Sequence, residues 1–337
     1  MKKALVVTSI SAPNKALRAL AAGAAQAGFD FIVVGDMKSP ANFNLEGCNF
    51  HSVLRQRESS LAYAALCPPN HYARKNIGYL LAILGGAELI VETDDDNIPR
   101  PEFWRDREMR AKVAHLCGAG WTNVYRYFSD AAIWPRGLPL HGIHDNLPAF
   151  ESVAVAEVES PIQQGLAEGN PDVDAIYRLV VRSSQTFRRD RRIALGHGSW
   201  CPFNSQNTAW WPPAYALLYL SAGSSFRMTD IWRSFVAQKI AWANGWSVLF
   251  HEANVFQERN QHDLMRDFAD EVPGYLHNRE IGRALEALNL SPGLDAIPDN
   301  LRQCYGALVE NSWLAPAELP LLEAWLGDLS RIRGESQ

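Results

Sequence analysis

Three adjacent carboxylates, Asp94-Asp95-Asp96, followed by Asn97, stand just beyond the apolar run Ala87-Glu88-Leu89-Ile90-Val91. That order reads as acids delivered at the C-terminal end of a buried strand. Neighbouring carboxylates repel, and burying them unpaired is costly. A divalent cation resolves the conflict. Mg²⁺ or Mn²⁺ held by one or two carboxylates keeps coordination positions open for phosphate oxygens. The run therefore points to a metal–diphosphate site.

Other residue types converge on the same chemistry. Arg74 and Lys75 lie in the first turn of a helical pattern from His71 to Leu84, with Gly78 one turn on. Alone they read as a solvated basic turn. Just ahead of the acidic run they read as partners for a diphosphate at a helix N-terminus. Asn204 and Asn207 lie in Cys201–Trp210, where amides sit between aromatics; amides donate and accept, which suits sugar hydroxyls, while a polar turn fits equally. In Arg227–Ser234, Thr229 or Asp230 would cap a helix, and Asp230 is also a candidate general base. Asp172-Val173-Asp174 is either a second acidic doublet or a helix cap. The basic run Arg188–Arg192 reads as a solvated face.

These groups need a frame. Residues 3–10 form a first buried strand, Asn14 to Ala27 an Ala-rich helix stopped by Gly28, and Phe29–Asp36 a second strand ending in a carboxylate. This β-α-β opening predicts parallel strands and a right-handed crossover. No G-x-G-x-x-G follows the first strand, so it is not a dinucleotide fingerprint. Ligands of such sheets lie outside the carboxyl ends of the strands. Thr8, Ser9, Asp36 and Asp94–Asp96 would all be there. Residues 133–140 hold too many prolines for a central strand, and 163–174 read as a further loop. Beyond Pro273, helical spacing recurs at Ile281–Leu288, Asn300–Val309 and Ala317–Leu329, which divides the chain at 275/276 into a main domain and a C-terminal helical subdomain.

The 337 residues are 47% hydrophobic and 20% charged, with net charge −5. This is a globular composition with no bulk attraction for nucleic acid. The five cysteines include no C-x-x-C pair, which argues against a zinc site and a disulfide framework. No apolar span of about eighteen residues occurs, and the N-terminal apolar run is too short for a signal peptide. The expectation is a soluble, cytoplasmic enzyme with no integral membrane segment and at most peripheral membrane contact.

In order, the blocks RKNIGYLLAILGGAELIVETDDDN, WPRGLPL, NPDVDAIYRL, CPFNSQNTAW, TDIWRSF and QERNQHDL make the chain resemble the STELLO-type glycosyltransferases. More distantly it resembles the reversibly glycosylated polypeptides, which are UDP-arabinopyranose mutases. The resemblance implies a GT-A-like α/β fold, a mostly parallel sheet flanked by helices, over residues 1–275, with a helical extension over 276–337. It implies a glycosyltransferase that moves a sugar from a UDP donor to a glycan acceptor, with Mn²⁺ or Mg²⁺. Carried over by position, Asp94 and Asp96 bind metal and ribose with Asp95 between them, and Thr8 and Asp36 line the base pocket. Arg74 or Lys75 meets the diphosphate, Asp230 approaches the reacting centre, and His262 or His251 completes the metal shell. Arg136 matches the self-glycosylated arginine of the mutases, although Leu138 stands where they have an aromatic. A UDP-sugar mutase and a non-catalytic nucleotide-sugar-binding scaffold are the alternatives. STELLO proteins of eukaryotes carry an N-terminal membrane anchor, whereas this chain opens on the first strand, so their Golgi location is not expected to transfer.

Overall fold

The computed structural model describes residues 1–181, 185–258 and 263–334. The chain opens with β1 (Lys3–Thr8), α1 (Lys15–Ala27) and β2 (Phe29–Val34). Asn14 caps α1 by accepting from the Leu17 amide, and Gly28 closes it in a left-handed conformation. Then come β3 (Asn49–His51), α2 (Val53–Arg57), α3 (Ala62–Leu66), a 3₁₀ turn at Tyr72–Arg74 that runs into α4 (Lys75–Leu84), and β4 (Leu89–Thr93). The middle of the chain supplies β5 (Asn97–Pro99), β6 (Arg110–Leu116), β7 (Gly120–Trp121), β8 (Val155–Glu159), β9 (Ile162–Glu168), α5 (Ala175–Val180), β10 (Arg192–Leu195), β11 (Ser199–Trp200) and β12 (Asn207–Trp210). It ends with α6 (Thr229–Ala243), β13 (Val248–Gln257), α7 (Leu264–Glu286), α8 (Ile297–Glu310) and α9 (Glu318–Arg333).

Among the described residues one 11-stranded sheet runs β3-β2-β1-β4-β12-β9-β13-β10-β6-β8, with β5 paired to β13. The four strands from β3 to β4 are mutually parallel, as the β-α-β opening predicts. β12 enters antiparallel between β4 and β9, and β13 lies parallel to β9. This sheet with helices on both sides is the GT-A-like α/β arrangement expected.

Period-two alternation fills both faces. In β1, Val6 joins a core shared with α4, α6, α8 and α9, while Leu5 and Val7 join the core under α1. Burying each such side chain contributes roughly 1.5–3 kcal/mol. Gly78 is required for this packing, because a Cβ there would stand 2.6 Å from Val6 and 2.8 Å from Val34.

The expected division at 275/276 falls inside the continuous helix α7. The C-terminal helices are tied to the sheet domain: Asp328 of α9 accepts from the Ala62 and Tyr63 amides at the start of α3, at 2.9 and 2.8 Å. Glu318 likewise accepts from the Ala222 and Gly223 amides. The basic run pairs with acids, Arg188 with Asp130 and Arg191 with Glu151.

Candidate functional site

At the carboxyl edge of the parallel strands lies a cleft of about 370 Å³. Its wall follows the sheet order. Asp36 comes after β2, Thr8 ends β1, Asp94–Asp96 follow β4, Gln206 precedes β12, Asp172 follows β9 and Gln257 ends β13. The placement follows from topology: Asn207 pairs with Thr93, so the start of the antiparallel β12 lies beside the end of β4.

Each of the three acids has a different anchor. Asp94 Oδ1 accepts from the Tyr72 hydroxyl at 2.9 Å and from Lys75 Nζ at 3.3 Å. Its side chain keeps 31% of its surface open. Burial pushes its carboxyl up to about 7, with Lys75 pulling down and Asp96 pushing further up. Asp95 accepts from Ser9 Oγ at 2.5 Å, and burial raises it against that hydroxyl. Asp96 receives Gln257 Nε2 at 3.2 Å on both oxygens. Asp94 and Asp96 offer hard oxygen donors whose repulsion a cation would relieve, which fits Mg²⁺ or Mn²⁺. Among the described residues no three His, Cys, Asp or Glu side chains form a ready cage. Further ligands would have to come from diphosphate or water.

Arg74 lines the cleft, but its guanidinium is turned into the protein, donating to Gln56 and to the Cys67 carbonyl at 3.0 Å. Lys75 is a correction to the expected diphosphate contact. It is fully buried behind the wall, where Nζ donates to Tyr72 OH, Thr93 O and Ser205 O, each at 2.9 Å, as well as to Asp94. It holds a carboxylate in place. Asn204 and Asn207 are corrected likewise: Asn204 donates to Asp172 at 2.8 Å and Asn207 to Asn254 at 2.6 Å, behind the cleft surface. Their amides satisfy the junction of β12 with β9. Asp36 accepts from the Asn70 and His71 amides at 2.9 and 3.0 Å, fixing that loop over the end of β2. His251 sits within β13 opposite Gly165, six positions before Gln257, or roughly 20 Å along a strand. It is not among the cleft residues, and burial pushes it down to about 3. His262 lies outside the described residues.

The far end of the cleft carries a buried charge cluster. Arg136 donates through Nε to Asp172 Oδ1 and through Nη2 to Asp172 Oδ2, both at 2.8 Å. It also donates to Asp230, through Nη1 at 3.0 Å and Nη2 at 2.9 Å, and to the Arg227 carbonyl. All five of its N–H groups are thereby engaged. Gly137 fits this corner at φ +88, where a Cβ would meet Ile231 at 2.4 Å. Burial would raise the Asp230 carboxyl, but Arg136 outweighs it and holds it down to about 2. Asp230 lies in the first turn of α6, where Met228 holds the cap position without a side-chain bond, so neither Thr229 nor Asp230 caps the helix.

In the doublet, Asp174 is the cap of α5, accepting from the Tyr177 amide at 2.7 Å, and Asp172 is the partner of Arg136. Sequence reasoning misses that role of Asp172, along with Tyr72, His71 and Gln257. Tyr72 follows the Pro-Pro-Asn-His turn directly, and its spacing of one helical turn from Lys75 is the signal that could have found it.

The site is thus an acid-lined cleft at the carboxyl edge of the parallel strands. The family model described as STELLO glycosyltransferases matches residues 227–336. Two curated Arabidopsis thaliana proteins are similar. "Probable glycosyltransferase STELLO2" is 25% identical over 98% of this chain and 45% of its own, and "Probable glycosyltransferase STELLO1" is 26% identical over 72% and 34%. A solved mycobacterial protein overlays 82% of this chain and 74% of its own with a TM-score of 0.41 at 11% identity. The chain is thus similar to STELLO-type glycosyltransferases, and it spans less than half the length of these curated relatives. Among the described residues no helix is long and apolar enough to cross a membrane.

Proposed function

We propose that the chain is a metal-dependent glycosyltransferase that takes a sugar from a nucleoside-diphosphate donor, with UDP as the nucleotide, and passes it to a glycan acceptor. The observation that carries this reading is the pair Asp94 and Asp96 opening on a nucleotide-sized cleft at the end of β4. They would hold Mn²⁺ or Mg²⁺. The bound cation would supply neutralisation of charge developing on the leaving diphosphate.

The protein's own groups supply the rest. Tyr72 and Lys75 orient Asp94, and Gln257 orients Asp96. Thr8 and Asp36, which line the cleft at the ends of β1 and β2, would meet the nucleoside. Arg136, with Asp172 and Asp230, shapes the end over β12 and β9 where the sugar would lie. A carboxylate held near 2 removes an acceptor proton poorly, so Asp230 acts here by fixing Arg136 rather than as a general base. The mutase alternative asks a sugar contact of Arg136, whose N–H groups are already taken. Incubation with UDP-arabinopyranose and a search for the furanose form tests it directly.

Titration calorimetry of UDP with Mn²⁺ tests the principal reading. Metal-dependent UDP binding, followed by turnover of a UDP-sugar, is the expected result. No UDP affinity with either cation would overturn it.

A further inference from the structure

At the Asp36 end of the cleft, one lining imidazole is built into a loop that engages one of its ring nitrogens and leaves the other without a hydrogen-bond partner among the described residues. His71 Nδ1 accepts from the Ala73 amide at 3.0 Å, within the turn that starts the α4 segment. An N–H donor pointing at Nδ1 requires a lone pair there, so the ring proton of neutral His71 must reside on Nε2. Among the described residues Nε2–H has no hydrogen-bond partner, and His71 lines the cleft beside Asp36, Asn70 and Arg74.

The loop is shaped to hold that ring. Asn70 adopts a left-handed conformation, φ 53, which a non-glycine residue takes up only when its surroundings fix it. Asp36 supplies the fixing contacts by accepting both the Asn70 and His71 amides. The ring is thereby oriented from both sides, by Asp36 through the backbone and by Ala73 through Nδ1. Burial lowers the imidazole's pKa against the pull of Asp36, in keeping with a neutral ring.

We propose that His71 is a ligand-contacting residue whose Nε2–H donates to an oxygen acceptor of the nucleotide, either a phosphate oxygen or a nucleobase carbonyl. This rests on the nucleotide-sugar reading of the cleft and adds a determinant to it. Two substitutions separate the two ring nitrogens. His71→Asn keeps an acceptor where Nδ1 stands, so the Ala73 amide stays capped, but it withdraws the cleft donor. His71→Gln extends an amide N–H to the position of Nε2.

The experiment is calorimetry of wild type, His71→Asn and His71→Gln against UDP, uridine and inorganic pyrophosphate, each with Mn²⁺. The expected result is a loss of about tenfold or more in UDP affinity for His71→Asn, the scale of one hydrogen bond to a charged or polar acceptor, with most of it restored in His71→Gln. The same loss with pyrophosphate assigns the acceptor to phosphate; the same loss with uridine assigns it to the base. Wild-type UDP affinity in His71→Asn overturns the inference and leaves the nucleotide reading standing, whereas wild type that binds no UDP overturns both. Nitrogen NMR of the wild-type ring is an independent check should His71→Asn fold poorly. A protonated Nε2 that shifts on UDP addition is expected, and an Nδ1–H tautomer overturns the inference.

Discussion

Arg136 and Asp230 face each other through two parallel hydrogen bonds, Nη1 to Oδ1 at 3.0 Å and Nη2 to Oδ2 at 2.9 Å. The other edge of the same guanidinium holds Asp172 in the same way. One cation thus joins the loop after β9, the loop at 133–140 and the first turn of α6. Removing it would leave two buried carboxylates facing one another. Arg136→Met should cost about 3–5 kcal/mol of stability at neutral pH, the scale for breaking a buried pair from one side. Lysine cannot reproduce the fork, so Arg136→Lys should recover little. Urea denaturation measures both. A loss under about 1 kcal/mol for the methionine variant would mean that the cluster adds nothing to the fold.

Two carboxylates nearby should give stability–pH slopes of opposite sign. Asp230 is held down from 3.8 to about 2, so its contribution is present above 3.8 and is lost as pH falls toward 2. Asp174 is raised from 3.8 to about 6, chiefly by burial, so its contribution is full below 3.8 and is lost as pH rises through 6. Relative to Asp230→Asn, wild type should lose stability on acidification below 3.8. Relative to Asp174→Asn, it should lose stability as pH climbs from 3.8 to 6. Parallel pH series of denaturation midpoints would show whether the two differences run in opposite directions, and slopes of the same sign would contradict the assignments.

The part of the site written in consecutive residues is legible in the amino-acid order alone. The strand-borne acids, the β-α-β opening and the cap at Asp174 are local patterns, and each stands where its pattern indicates. The contacts across the sheet are not legible in that way. Lys75 looks like a phosphate ligand because it opens a helix just ahead of the acidic run, yet the crossing of β12 beside β4 brings Ser205 O over its ammonium and buries it. Asp172 looks like half of a cap doublet because Arg136 is distant in sequence. Asp230 looks like a base because it is an acid at a helix start, whereas the arginine that lowers its carboxyl is distant in sequence. Charge type is local information, whereas protonation and exposure are set by tertiary neighbours.

Asp96 provides the sharpest test of the metal reading. Gln257 Nε2 donates to its carboxylate at 3.2 Å to each oxygen, and an asparagine keeps an oxygen acceptor for that amide. Asp96→Asn should therefore fold normally. Mn²⁺-dependent UDP affinity should fall by more than the about 10–100-fold that changes in outer-shell partners cost a metal site, while metal-free UDP binding stays unchanged. Calorimetry with and without Mn²⁺ separates the two quantities, and an unaltered metal dependence would remove Asp96 from the site.

Beneath the acidic run, Glu92 and Arg233 form a pair at 2.8 Å with side chains 0% and 1% exposed. Trp210 Nε1 donates to the same carboxylate at 2.8 Å and the Tyr79 hydroxyl also donates to it. Glu92 lies two residues before Asp94 on β4, so this cluster fixes the strand that delivers the acids to the cleft. Glu92→Gln removes the countercharge and leaves Arg233 buried among Phe203 and Trp210, 5.9 and 5.0 Å from their ring centres. It should cost about 3–5 kcal/mol, and Arg233→Met should cost a similar amount. The double variant Glu92→Met/Arg233→Met removes both charges together. It should be less destabilised than the sum of the single variants, because neither charge is left alone, although Tyr79 and Trp210 each lose an acceptor worth roughly 1–3 kcal/mol when buried. Chemical denaturation of the four proteins gives the coupling directly. Strict additivity would show that the two residues act independently and that the pair does not anchor β4.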